Sequence, residues 1–391
     1  MIVNILPNIR IQNEYLAMIS FAITCSMQSK RWTNGFEQYG DPFSAILLGA
    51  PMIATIDPLN VQTMLGTNFK DYGVQPLRRS ATLPFLGGGD GPFWQHSRTL
   101  MRPTFTRINA ANLPAFEKNL QKFFKLLPED GSTVDLKPLS CKLFIDTSTE
   151  FLFGESTDML SSEQPVRSQQ FLDAFHYRQL GTGRRLQLGK LAFLYRDKKF
   201  YDSIKVAHAF ADFYVDKAIE RRADRLSKEQ PAEKDRSGHK CVLLHEITMQ
   251  TDNRSELRSQ ILHVFLAGHE SSAITIGNAV FQLSRNPSVW EKIRQEVTEG
   301  YGTSSSNFIH DRLRNLKYLQ NVIKEIDIAS RKAYKDGVLP RGGGPDGKSP
   351  IFIRKSTVIV TPLCSLHRLT ERFQPDRDKF IPISRANFYS P

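Results

Sequence analysis

The 391-residue chain has little cysteine: Cys25, Cys141, Cys241 and Cys364 lie far apart, and no C-x-x-C pair occurs. That argues against a disulfide scaffold or a cysteine zinc site and suits a reducing compartment. Long uncharged apolar runs are scarce too. The N-terminal "YLAMISFAITCSM", Tyr15 to Met27, falls short of the ~18 residues of a confident membrane span. It has no basic stretch immediately before it, which a signal peptide would need. An interfacial or core helix is the expectation there. Acidic residues are outnumbered, 40 Asp and Glu against 52 Lys and Arg, for a formal net charge of +12. Such an excess favours acidic partners, anionic membrane surfaces or nucleic acid. The basic residues are scattered, however, and form no stripe with interleaved aromatics, so nucleic acid is not expected as a partner. Internal repeats and low-complexity tracts are also lacking.

With 40% hydrophobic and 10% aromatic residues, the chain can bury a large core, as one big domain or two smaller ones. "ILLGAPMIATIDPLNVQTML" reads as two short strands joined by Gly49-Ala50-Pro51, then a helix from Asp57-Pro58. From Trp94 to Glu220 the pattern is mostly helical, and between Asp224 and Lys240 it turns charged and loop-like. Helices follow over "HKCVLLHEITMQ" and "LRNLKYLQNVIKEI", and Gly342-Gly343-Gly344-Pro345 with "SPIFIRKSTVIVTP" reads as a turn plus a strand. His239, Cys241 and His245 are metal-ligand types, but their spacing does not put all three on one helical face. "GGGDG", Gly87 to Gly91, lacks the Lys-Ser/Thr of a phosphate loop and reads as a turn.

The segment hardest to explain as packing is "FLAGHESSAITIGNAVFQLSRNPSVW", Phe265 to Trp290. Leu262, Phe265, Leu266, Ala273, Ile276 and Val280 recur at helical spacing, while Val264, Ile274, Ala279 and Leu283 fill the other sides. The pattern predicts one buried helix from about Ser255 to Leu283, ended by Asn286-Pro287. An acid in the middle of such a helix costs several kcal/mol unless it is paired. Something must use Glu270. The expectation is that Glu270 and Ser271 stand on the wall of an apolar cavity together with Phe265 and Leu266. Separately, Trp94 and Arg98, at i and i+4, project from one side of a helix and can aim an indole N–H and a guanidinium at one anionic group.

These stretches together resemble the cytochrome P450 superfamily of haem-thiolate monooxygenases, within it the fungal alkane- and fatty-acid-hydroxylating group. The resemblance runs from about Trp32 to Pro382, through "GPFWQHSRTLMRPTFTR", the Ala-Gly-x-Glu-Ser-Ser signature at Ala267 to Ser272, "LRNLKYLQNVIKE", "SLHR" and "FQPDRDKFIP". It implies a mainly α fold with a small β sheet, with residues 1–29 as an N-terminal segment and 30–391 as an incomplete domain. It also implies haem, an NADPH-dependent flavoprotein reductase and an apolar small-molecule substrate: an alkane, a fatty acid or the alkyl part of a fungal secondary metabolite. The endoplasmic reticulum membrane surface is the implied location, although this chain shows no convincing transmembrane anchor. Glu270 and Ser271 would deliver protons to dioxygen. Ala267 and Gly268 would lie against the haem, and Trp94, Arg98 and Arg331 would reach its propionates.

The sequence departs from the family twice. Glu325 is followed by Ile328 where the family's Glu-x-x-Arg has its Arg, and Arg331-Lys332-Ala333 looks like the later strand, so roughly ten residues of a packed core are skipped. The cysteine loop that carries the family's axial ligand is absent from residues 1–391, and a thiolate is what favours O–O cleavage. Two further readings therefore stand beside the monooxygenase: a catalytically inactive truncated member, or a cofactor-free helical interaction protein.

Overall fold

The computed structural model describes residues 25–47, 50–87, 92–102, 105, 113–161, 166–227, 242–302, 313, 315–323, 329–362 and 365. The chain divides into two compact units. The first comprises Met1–Ala81, Thr182–Tyr195 and Asn321–Pro391, and the second Thr82–Gly181 and Arg196–Gln320.

The first unit holds the sheet. Helix α1 (Cys25–Tyr39) leads into the hairpin of β1 (Phe43–Leu47) and β2 (Ala50–Ala54), with Phe43 opposite Ala54. Phe36 of α1 packs edge-on against Phe43, at 4.9 Å between ring centroids. Ala50 and Pro51, read as part of the turn, belong to β2. Strands β3 (Tyr72–Gly73), β4 (Ala329–Ala333) and β7 (Val358–Thr361) complete a sheet ordered β1-β2-β7-β4-β3, with only the β2–β7 pair parallel. A separate hairpin joins β5 (Gly337–Gly343) to β6 (Ser349–Ile353). "SPIFIRKSTVIVTP" thus forms two strands, not one: a turn at Arg354 to Thr357 breaks the apolar run, with Ser356 at φ 72°.

Helix α2 (Pro58–Gln62) starts where the sequence places it, because Asp57 Oδ1 accepts from the backbone N–H of Leu59 at 2.8 Å and of Asn60 at 3.3 Å. Buried Asn60 then ties this helix to β5. Its Nδ2 donates to the Arg341 carbonyl at 3.1 Å, and its Oδ1 accepts from the Arg341 N–H at 3.0 Å. Ile53, Met64, Leu339, Ile351 and Ile359 form the core beneath.

In the second unit α3 (Gln75–Leu86, from Thr82 on) and α4 (Pro92–Met101) precede α5 (Leu113–Phe124) and α6 (Leu136–Phe153). Helix α6 ends at Gly154, whose φ of 79° favours glycine. Next come α7 (Val166–Leu188, to Gly181), α8 (Lys198–Ser227) and the short α9 (Leu243–Thr248). The predicted central helix is two helices, α10 (Arg254–Gly268) and α11 (Glu270–Arg285), followed by α12 (Pro287–Tyr301) and α13 (Lys317–Ile323). Both α10 and α11 pack on α6. Aromatic stacking fills the space between α7, α8 and α10: Phe171 lies on Phe210 at 4.0 Å, and Phe171 and Phe175 meet Phe265 at 5.1 and 4.9 Å.

The family-like architecture, mainly α with a small sheet, is what the structure shows. Among the described residues no helix is long and apolar enough to cross a membrane. Cys241, His239, Glu325, Cys364, most of "GGGDG" and of the Asp224 to Lys240 stretch, and residues 1–24 lie outside the described residues.

Candidate functional site

The site is built on the break between α10 and α11. His269, at φ −95° and ψ −51°, belongs to neither helix. Around it the ladder is stretched, with the His269 N–H 3.4 Å from the Phe265 carbonyl and the Ala273 N–H 3.3 Å from the His269 carbonyl; about 2.9–3.0 Å is usual. Two hydroxyls account for the opening. Ser271 Oγ donates to the Ala267 carbonyl at 2.6 Å, and Thr275 Oγ1 donates to the Ser271 carbonyl at 2.8 Å. Side-chain donors that take carbonyls of the ladder bend the helix.

The break has two faces. Phe265, His269 and Ala273 turn inward and are buried. His269 stacks on Phe265 at 4.7 Å and meets Phe175 edge-on at 5.1 Å, and its Nδ1–H donates to the Phe265 carbonyl at 3.0 Å. Phe265 is therefore packed in the aromatic core and does not line an open wall beside Glu270. The other face carries Ala267, Ser271, Ile274, Asn278 and Phe281, all exposed, at the heptad spacing that keeps residues in line. This corrects the expectation of a helix buried on all sides: of α11 only Ala273 and Leu283 are buried, and Phe281 is 55% exposed. Hydrophobic periodicity reports which side chains avoid water, not which are covered by this polypeptide.

Glu270 is half-buried, and its Oε2 accepts from Gln179 Nε2 on α7. Gly268 faces α6: a Cβ there would stand 3.3 Å from Ser148 Oγ, tighter than ordinary contact. Helix α4 lies along the first half of α10, where Gln260 Nε2 donates to Ser97 Oγ at 2.6 Å and His96 Nε2 pairs with Glu256 Oε1 at 2.6 Å. Gln260 and Ala267 are one heptad apart, so α4 touches the same side of the helix that exposes Ala267, about two turns earlier. Arg98 is exposed on α4, next to Ser97. Trp94 lies on the same helix, and its side chain is outside the described residues, as is that of Arg331. The Arg331 backbone pairs with Ile359 in the sheet of the other unit. A shallow pocket lined by Ala218, Arg222, His245, Thr248 and Met249 does not include Glu270.

Sequence reasoning missed α7 as a partner of the break. Gln179 holds Glu270, and the guanidinium carbon of Arg178 stands 3.7 and 4.1 Å from the Phe85 and Phe175 ring centroids. A signal existed: Phe171, Phe175 and Arg178 fall at i, i+4 and i+7, which sets an arginine on an aromatic stripe.

Burial decides the protonation of this region. It holds the imidazoles of His176, His208, His263 and His269 below the usual 6.5, with backbone bonds from His208, His263 and His269 and the charge of Glu270 near His176 and His269 opposing in part. It pushes the Cys141 thiol up, with Glu270 adding to the effect. Between the depressed folded values and 6.5 the unfolded chain binds more protons than the folded one, so stability rises with pH across that window. The expected result is a denaturant midpoint that is flat above pH ~7 and falls progressively on acidification below about 6.5. Unfolding curves at a series of pH values check this, and a midpoint that rises on acidification would contradict it.

The cytochrome P450 family model matches residues 15–383. Cytochrome P450 monooxygenase fsdH of Fusarium heterosporum is 35% identical over 369 residues, covering 90% of this chain and 64% of that protein. Cytochrome P450 monooxygenase g430 of Fusarium sp is 36% identical over 364 residues, covering 86% and 63%. Cytochrome P450 52A1 of Candida tropicalis is 33% identical over 361 residues, covering 86% and 65%. The chain spans a little under two thirds of the length of these relatives. A helical fold with a small sheet, a broken helix carrying Ala-Gly-x-Glu-Ser-Ser and a match over nearly the whole sequence lead to one assignment: the chain belongs to the cytochrome P450 family.

Proposed function

We propose that this chain works as a haem-dependent monooxygenase that hydroxylates a long apolar small molecule, such as an alkane, a fatty acid or the alkyl part of a fungal secondary metabolite. A flavoprotein reductase and a membrane surface are the partners of this reading. In this reading residues 30–391 are an incomplete catalytic domain and residues 1–29 an N-terminal segment that meets the membrane. The observation that carries it is the break at His269, which leaves the small, exposed Ala267 and Ser271 on one face of α10 and α11 with half-buried Glu270 beside them.

The residues fit one face of a haem. Ala267 and Ser271 offer a wall low enough for a flat macrocycle, and the apolar Ile274 and Phe281 extend it along α11. Arg98, exposed on α4, would bind a propionate by a charge-assisted bond. Cys141 does not fit an axial thiolate, since burial in α6 raises its thiol where a ligand needs a lowered one. Haem, when bound, supplies the activation of dioxygen. The protein's own part is to move protons and exclude water. Glu270, held by Gln179, is the acid; Ser271, held by the Ala267 carbonyl at 2.6 Å, is the hydroxyl that passes a proton on. The packed aromatics behind His269 close the site to solvent from the core side.

The test is haem titration of the 391-residue chain, followed by absorbance, for wild type and Ala267→Phe. A phenyl ring on the wall obstructs a flat ligand, and overpacking costs ~1–3 kcal/mol, about tenfold in affinity. Weaker haem binding with unchanged circular dichroism is expected. Equal affinity, or no haem uptake by the wild type, would overturn the placement.

A further inference from the structure

The shallow pocket of the second unit is lined by Arg221 and Arg222 of α8, His245 and Thr248 of α9, and Ala218 and Met249. Among the described residues no carboxylate lines it. The acids that pair with the two guanidiniums stand off: Arg221 Nη2 is 3.6 Å from Glu155 Oε1, and Arg222 Nη1 is 3.5 Å from Asp252 Oδ2. A charge-assisted N–H···O bond is about 2.7–2.9 Å long. Glu155 Oε1 is also held by Lys217 Nζ, and the Asp252 side chain is 77% exposed, where water screens its charge. Arg254 of the same unit shows the contrast: its Nε donates to Asp216 Oδ1 at 2.6 Å and its Nη2 to Asp216 Oδ2 at 2.8 Å. Arg221 and Arg222 therefore keep a capacity for an anion that Arg254 has used.

Two bonds place the imidazole. Arg221 Nη1 donates to His245 Nε2 at 3.2 Å, and Thr248 Oγ1 donates to the His245 carbonyl at 2.8 Å. An imidazole nitrogen offers a guanidinium no opposite charge, so an oxyanion in the pocket outcompetes it for Arg221. Met249, 50% exposed, adds an adaptable apolar wall. The number of donors selects the anion. A carboxylate satisfies one guanidinium fork with its two oxygens, as Asp216 does for Arg254. Two guanidiniums and an imidazole call for an ion with three or more acceptor oxygens and about two charges, which describes a phosphate group.

We propose that the pocket between α8 and α9 binds a phosphate group, either free or as the monoester of a small organic molecule. Arg221 and Arg222 hold its oxygens, with His245 as the third donor once Arg221 turns to the anion. The site is separate from the break at His269 and asks nothing of haem. A bound phosphate joins two helices that meet here through the single bond from Arg221 to His245 and the packing around it, so it also fastens the short α9 to α8.

The test is calorimetric titration of the full 391-residue chain with inorganic phosphate and with phenyl phosphate, at fixed ionic strength. Saturable binding of one phosphate group per chain is expected. Arg222→Gln should weaken it by about tenfold or more, the effect of losing one charged hydrogen bond. Arg222→Lys, which keeps the charge and guards against a folding artefact, should recover part of the loss. Arg184→Gln removes the same charge from an exposed position on α7 outside the pocket and should leave binding unchanged. Tighter binding of phenyl phosphate supports the site with an organic monoester as its ligand, and equal binding of the two supports it with free phosphate. Absence of saturable binding, or binding that survives Arg222→Gln, would overturn the proposal. Equal weakening by Arg184→Gln would do so too, since it would mean adventitious attraction to a chain of net charge +12. None of these results bears on the monooxygenase reading, which the haem titration tests separately.

Discussion

Asp146→Ala is expected to lower the folding free energy by about 3 kcal/mol, read as a lower denaturant midpoint at constant slope. Asp146 is fully buried in the middle of α6, where a carboxyl group needs a structural reason. Its Oδ1 accepts from Thr157 Oγ1 at 2.9 Å and from the Met159 N–H at 2.8 Å, and its Oδ2 accepts from the Leu160 N–H at 3.0 Å. The carboxyl thus substitutes for the partners that the backbone loses after α6 ends at Gly154, and it seats Met159 and Leu160 in the core. Removing it strands two buried N–H groups at about 1–3 kcal/mol each, with some relaxation. Asp146→Asn keeps one acceptor oxygen and should cost less. A loss below about 1 kcal/mol for Asp146→Ala would mean that water replaces the carboxyl and that the loop is not held by it.

The elements that could be read from the sequence are those set by local chemistry. Asp57-Pro58 announces α2 because the cap and the fixed proline φ act within three residues. The β1–β2 pair follows from two short apolar runs around a Gly-Ala-Pro turn, and α5 falls within the stretch whose pattern is helical. Periodicity alone ran one helix through Ala267 to Ser272, whereas the bond from Ser271 to the Ala267 carbonyl lies at the break between two. What could not be read depends on distant partners. Nothing near Glu270 names Gln179, ninety-one residues away. The uncovered face of α11 was hidden because Ile274, Ile276, Val280 and Phe281 have the pattern of a core while standing 38 to 55% exposed. An apolar face left open by its own chain is what a flat apolar ligand or further polypeptide covers, and the hydrophobic effect does not distinguish the two.

In a form of the protein that carries the family's axial cysteine loop, supplied with haem and a reductase, Glu270→Gln should reduce product formation by about 100-fold with haem affinity unchanged, the usual size of a lost general acid. The substitution is chosen for its shape. Glutamine retains an oxygen to accept from Gln179 Nε2, so the contact between α7 and the break survives, while the amide does not release a proton as a carboxyl does. Ser271→Ala acts differently, because it removes the relay hydroxyl and also the bond at 2.6 Å that holds the Ala267 carbonyl off the ladder. With that bond gone, α10 and α11 gain freedom to close at His269, so haem affinity should change together with turnover. Gln179→Ala leaves the acid in place without its holder and should give an intermediate loss, since an unpositioned carboxyl still transfers protons part of the time. The order Glu270→Gln below Gln179→Ala below wild type is the outcome that assigns the acid. If Glu270→Gln keeps more than about a third of the activity, proton delivery runs through another group, because no general acid of ordinary effect is that dispensable.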